Sequence, residues 1–169
     1  MKSKRTLFVV KAGVIAAVYV VLTLISTMFG LSSGVIQVRI SEALSFLPFI
    51  TGSAVPGLTV GCLISNMLSG GVPQDIILGT VATFLGALGA RIIGKTAKNH
   101  RNTAIYLSTL PNVVFNTLII PWVLKLAYGA EQAVWLMMIT VGIGEFIACV
   151  LLGSIVITAF KSKFRLLKD

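Results

Sequence analysis

Charge is scarce in this chain. Only 11% of its 169 residues are charged, five of them acidic, while 56% are hydrophobic. With a mean hydropathy of +0.98, a soluble domain of this size would lack the polar surface to cover itself. Histidine occurs once, as His100, inside a basic stretch where it reads as a surface residue. No nucleophile–base pair and no His/Asp cluster accompanies it, which argues against an enzyme. The two cysteines, Cys62 and Cys149, sit in apolar runs without partners at metal-ligand spacing and read as hydrophobic side chains. The one Gly-x-x-x-x-Gly-Lys-Thr string, Gly89 to Thr96, falls at the end of an apolar run and not in a loop between a strand and a helix, so it is not read as an ATP-binding phosphate loop. If the chain drives uphill uptake, the energy comes from an ion gradient or from separate subunits. A chain this short, without paired inverted halves, fits separate subunits better.

Long apolar runs are what the sequence does have. The first, residues 7–29, is long enough to cross a hydrocarbon core of roughly 30 Å at about 1.5 Å per residue. It is too long, and too soon followed by further apolar stretches, for a cleaved signal peptide. Charges and Gly/Pro breakers delimit five more: 35–50, 58–68, 74–96, 102–126 and 131–160. Asp75 and Lys95 fall in the first and last turns of the fourth, as the helix dipole favours.

The net charge of +9 resides mainly in three clusters: Lys2, Lys4, Arg5 and Lys11; Arg91, Lys95, Lys98 and Arg101; Lys161, Lys163, Arg165 and Lys168. Their separation by apolar runs argues against nucleic acid and for anchors on the cytoplasmic face. Six spans put all three clusters on that face. Four or five do not. The expectation is an all-α, six-transmembrane-helix bundle: one integral domain over 1–169, multi-pass in the bacterial cytoplasmic membrane, with short basic tails and both termini cytoplasmic.

Small residues mark close helix packing: Ala12 with Ala16, Gly13 with Ala17 on the adjacent stripe, and the Gly79, Gly86, Ala90, Gly94 face. Each serves either internal packing or a membrane partner.

Polar groups at membrane depth are costly and therefore point inward, pair, or serve a site. Glu145 is the most informative, since no basic residue lies near it in sequence. It is expected to bind a donor-rich ligand, pair with Arg39, or hold a proton. Arg39 and Glu42, three apart, can share a helix face, with Gln37 and Ser41 beside them. Asn66, and Asn112 with Asn116 just after Pro111, are further ligand candidates or interhelical glue. Trp122, Tyr128 and Trp135 read as interfacial anchors, or one of them as a stacking surface for a planar ligand.

Four segments carry a family resemblance: Gly34-Val35-Ile36-Gln37-Val38-Arg39-Ile40-Ser41-Glu42-Ala43-Leu44, Pro56 to Asn66, Asp75 to Thr80, and Ile143-Gly144-Glu145. Together they resemble the QueT family, substrate-binding S components of energy-coupling factor (ECF) transporters. The resemblance implies six membrane helices and a partner module of one transmembrane coupling protein, EcfT, with two ATPases, EcfA and EcfA′. ATP and magnesium belong to those ATPases, and the chain itself needs no cofactor or metal. In such S components an Ala-xxx-Ala face on the first helix docks the coupling protein, and Ala12 and Ala16 match it. The implied substrates are queuosine precursors, 7-deazaguanine bases whose N–H edge suits Glu145. The expected binding set is Gln37, Arg39, Glu42, Asn66, Asn112, Asn116, Trp135 and Glu145. The alternatives are an S component for cobalamin, or a proton-coupled secondary carrier.

Overall fold

The computed structural model describes residues 2–32, 36–97 and 101–166. His100, Lys98, Lys168 and the Gly34-Val35 start of the first motif lie outside them. All regular structure among the described residues is helical, without strands. In chain order the helices are α1 (Lys2–Met28), a 3-10 turn (Ile40–Leu44), α2 (Leu47–Ile50), α3 (Ala54–Leu68), α4 (Pro73–Thr96), α5 (Arg101–Leu107), α6 (Leu110–Leu126) and α7 (Val134–Glu145). A π-helical stretch (Phe146–Leu152), α8 (Gly153–Phe160) and a closing 3-10 turn (Lys161–Leu166) follow.

Four helical stretches are long and apolar enough to cross a membrane: Ser3–Met28, Pro73–Thr96, Arg101–Leu126 and Val134–Lys163. The two remaining apolar segments, Ile40–Ile50 and Ala54–Leu68, are shorter. At about 1.5 Å per residue the first of these cannot span a bilayer as a helix by itself.

Proline explains several boundaries. Pro48, Pro73 and Pro111 each sit at the start of a helix. Pro56 lies in the first turn of α3, where its missing N–H would have had no partner anyway. The sequence therefore misplaces the third segment, whose helix starts at Ala54 and includes the Gly/Pro stretch expected to break it. Pro111 lies within the single Arg101–Leu126 span, as expected, and there marks the junction of α5 and α6. There the Ser108 and Thr109 hydroxyls donate to the Ile105 and Tyr106 carbonyls, at 2.6 and 2.8 Å.

Glycine contacts fix the relative directions. Added Cβ atoms at Gly57 and Gly61 would meet the carbonyls of Ala12 and Ala16, at 2.9 and 3.1 Å, so α1 and α3 run parallel. Gly79 faces Asn66 while Thr83 bonds Cys62, and Gly79 faces Ile120 while Gly86 faces Asn112, which sets α4 antiparallel to both α3 and α6. Gly144 lies against Gln37 and Gly153 against Ala43, so the 37–50 segment runs parallel to α7 and α8. Tyr19 bonds Glu42 and Thr23 bonds Ser41, so that segment descends beside α1. Consecutive segments thus alternate in direction. The start of α1, the α4–α5 junction and the end of α8 share one end of the bundle, and with them the described members of the three basic clusters.

The short 37–50 segment is the core. Phe46, Phe49 and Ile50 pack with Tyr19, Leu58, Ala87, Ile105 and Ile157, while large side chains such as Val9, Ile77 and Ile155 remain outward. That inside-out distribution is what a lipid solvent permits. The Gly79, Gly86, Ala90, Gly94 face serves internal packing, with Ala90 fully buried and Gly94 against Phe49. Ala16 is likewise covered by α3 and Ala12 is half-buried, whereas a Cβ at Gly13 would meet nothing within 4 Å. The outward small stripe on α1 is therefore Gly13 and Ala17, next to the expected pair.

Candidate functional site: a polar cavity above a buried carboxylate network

At the end opposite the basic clusters, the tips of α1, α3, α4 and α6 surround a cavity of about 390 Å³. Its volume falls in the range of small-molecule sites, about 300–1,000 Å³. Most residues in the wall are of polar type: Thr23 and Thr27 from α1, Gln37 and Arg39 from the entering chain, Asn66 and Ser69 from α3, Asp75 from α4, and Tyr128 beyond α6. Ile120 and Leu124 form an apolar flank.

Arg39 donates from Nη1 to Asn66 Oδ1 at 3.0 Å. Asn66 is held in turn by Cys62, whose Sγ accepts from Asn66 Nδ2 at 3.6 Å and from Thr83 Oγ1 at 3.2 Å. Across the cavity Tyr128 donates to Asp75 Oδ2 at 2.9 Å and accepts from the Val72 N–H at 3.3 Å. Partial burial, and then the carboxylate it faces, raise the Tyr128 pKa, so the phenol keeps the proton it donates.

Closer to the basic end lies a second polar layer. Tyr19 donates to Glu42 Oε1. Asn112 Nδ2 reaches Glu42 Oε2 at 2.7 Å, Cys149 Sγ at 3.3 Å and Glu145 Oε2 at 3.5 Å. Asn116 Nδ2 and Cys149 Sγ also reach Glu145 Oε2, both at 3.4 Å. Glu145 closes α7, and the chain then enters the π-helical stretch, a distortion often found at functional positions. Glu42, Glu145 and Cys149 bring their ligand atoms within 4.8 Å of one another, a grouping able to hold a metal ion. Their bonds to Tyr19, Asn112 and Asn116 already supply donors to both carboxylates.

Two comparisons with known proteins point to one family. The family model described as QueT transporter matches residues 9–162. The chain belongs to the QueT transporter family. It is 30% identical, over 152 residues, to the queuosine precursor transporter QueT of Lactococcus lactis subsp. cremoris (strain MG1363), covering 86% of this chain and 88% of that one. No solved structure gives a significant match.

In this QueT-family chain the expected site residues divide into groups. Gln37, Arg39 and Asn66 line the cavity. Glu42, Asn112, Asn116 and Glu145 join the deeper network. Arg39 and Glu42 do not pair as their spacing suggested: the 3-10 turn begins only at Ile40, so the two are not on one helix, and each finds other partners. Arg39 is not the partner of Glu145 either; the two asparagines and Cys149 are. Trp135 belongs to neither layer, being 65% exposed on the outside of α7, and the aromatic that reaches the cavity is Tyr128.

Sequence reasoning missed Tyr19, Thr23 and Thr27, although their spacing of four marks a polar stripe in an otherwise apolar helix. It also gave Asp75 no binding role, noting it only in a first helical turn and in a family segment, and read Cys149 as plain hydrophobic filling.

Proposed function

We propose that this chain is the substrate-capture S subunit of an ECF-type importer, taking a queuosine precursor from outside the cell. The observation that carries this reading is a polar cavity of about 390 Å³ at the end opposite the basic clusters, in a member of the QueT transporter family. Under the positive-inside rule the basic end is cytoplasmic, so the cavity opens outward. Six alternating segments then lie in the cytoplasmic membrane of a bacterium with both termini inside. The shorter ones, Ile40–Ile50 and Ala54–Leu68, are enclosed by or packed against the four long helices. A 7-deazaguanine base suits a cavity of this size. Cobalamin, several times bulkier, does not.

Gln37, Arg39 and Asn66 contact the base, and the Glu42–Asn112–Asn116–Glu145 layer holds the floor beneath it. The energy comes from two partner ATPases that bind ATP and magnesium, through the coupling protein EcfT. Because Ala16 is covered, docking uses the neighbouring α1 edge of Ala12, Gly13 and Ala17.

Isothermal titration of the purified chain against 7-cyano- and 7-aminomethyl-7-deazaguanine and cobalamin tests the assignment. Saturable binding of the deazaguanines without cobalamin binding is expected. Cobalamin binding alone, or uptake that persists without any ATPase and collapses with the proton gradient, would replace it with one of the two other transporter readings.

A further inference from the structure

Arg39 and Asp75 stand in one cavity with opposite charge, yet no ion pair joins them among the described residues; Arg39 leans on Asn66 and Asp75 on Tyr128. Asp75 Oδ1 has no hydrogen-bond partner among the described residues, and Arg39 has guanidinium N–H groups to spare beyond the one on Asn66. Two glycines border the carboxylate. A Cβ at Gly71 would lie 3.4 Å from Asp75 Oδ2, and one at Gly79 would lie 3.6 Å from Oδ1 and 3.0 Å from Asn66 Nδ2. By contrast Glu42, one layer deeper, is 3% exposed and takes a donor on each of its oxygens. Glu145 is half-buried and is not in the cavity wall; three side chains converge on its Oε2, while its Oε1 has no hydrogen-bond partner among the described residues.

Two separated charges of opposite sign, each with unused valence, match a ligand that carries donors and an acceptor along one edge. We infer that Asp75 is the specificity-determining carboxylate, receiving the adjacent ring N–H and exocyclic amine of a guanine-type edge while Arg39 donates to the ring carbonyl. This rests on the proposed capture of a 7-deazaguanine and reassigns the edge-reading role from Glu145. The carboxylate accepts two parallel N–H bonds, a geometry that adds selectivity as well as strength. Tyr128 keeps Asp75 turned toward the cavity. The array rejects an adenine-type edge, whose amine replaces the carbonyl and would face the guanidinium.

The test is titration calorimetry on detergent-purified full-length chain, wild type and Asp75→Asn, with melting temperature recorded for each. The ligands are 7-cyano-7-deazaguanine, its 7-aminomethyl counterpart, and the 7-cyano analogue lacking the 2-amino group. Asp75→Asn is expected to weaken both deazaguanines about equally, by about 100-fold, the weight of two charge-assisted bonds. Its effect on the analogue without the 2-amino group is expected to be about 10-fold smaller, because one of those bonds is already missing. Unchanged affinity in Asp75→Asn with its melting temperature intact would overturn the inference. So would a loss confined to the aminomethyl ligand, which would mean that Asp75 reads the ammonium. Either result leaves the capture function standing if wild type binds. A wild type that binds neither deazaguanine removes that function and this inference together.

Discussion

The two polar layers of this molecule use similar side chains to different ends. The deeper one is the more fully paired: Glu42 takes a donor on each oxygen, and Asn112, Asn116 and Cys149 converge on Glu145 Oε2. The outer one leaves the Arg39 and Asp75 charges apart across a cavity of about 390 Å³. A well-paired buried polar network rigidifies a fold, whereas charges with spare valence on a cavity wall can take a ligand. Substitutions should therefore separate the layers, with inner ones moving stability more than binding and outer ones doing the reverse.

The largest stability effect is expected at Glu42. Glu42→Ala strands the Tyr19 hydroxyl and one Asn112 donor in the core, at a cost of about 3 kcal/mol. The readout is reversible unfolding in detergent, and a loss below about 0.5 kcal/mol would erase the distinction between layers.

Next comes the α1–α3 contact. A Cβ at Gly61 would approach Tyr19 Cβ at 2.8 Å, so Gly61→Ala should destabilise by about 1–3 kcal/mol. Gly13→Ala, with nothing within 4 Å, should gain up to about 1 kcal/mol from helix propensity. The same unfolding assay sharpens the difference between the covered and open stripes of α1. A bulkier change in the open stripe, Gly13→Trp with Ala17→Trp, should stop ATP-driven uptake in cells while leaving precursor affinity within about 2-fold. Normal uptake by that double variant would move docking off this edge.

Smaller effects belong to the aromatics. Tyr128→Phe removes the bond that aims Asp75 and should weaken precursor binding by about 5-fold, with little change in melting. Trp135→Ala should leave affinity within about 2-fold, since that ring stands away from the cavity; a larger loss would restore it to the site.

Sequence alone conveyed the solvent. Scarce charge and long apolar runs required lipid, and the spacing of basic clusters required them to share one end, as the alternating segment directions now bear out. It also picked out Glu42, Asn66, Asn112, Asn116 and Glu145, because polar groups in apolar runs are conspicuous. It could not sort them into layers, since that depends on which helices run parallel. The parallel α1–α3 pair rests on Gly57 and Gly61 meeting Ala12 and Ala16, a contact between positions 45 residues apart that no local period reveals. Asp75 was overlooked because a carboxylate in a first helical turn already has a sufficient local reason to be there. Trp135 was overvalued because an aromatic near a bilayer surface anchors as readily as it stacks.

Ser69 lines the cavity and is exposed at its rim, while the native Cys62 and Cys149 are buried. In intact cells, a Ser69→Cys variant should react with a membrane-impermeant maleimide, and 7-deazaguanine precursor should slow that labelling. Reaction only after the membrane is permeabilised would turn the cavity to the wrong side, and labelling at an unchanged rate with saturating precursor would leave it empty of the solute assigned to it.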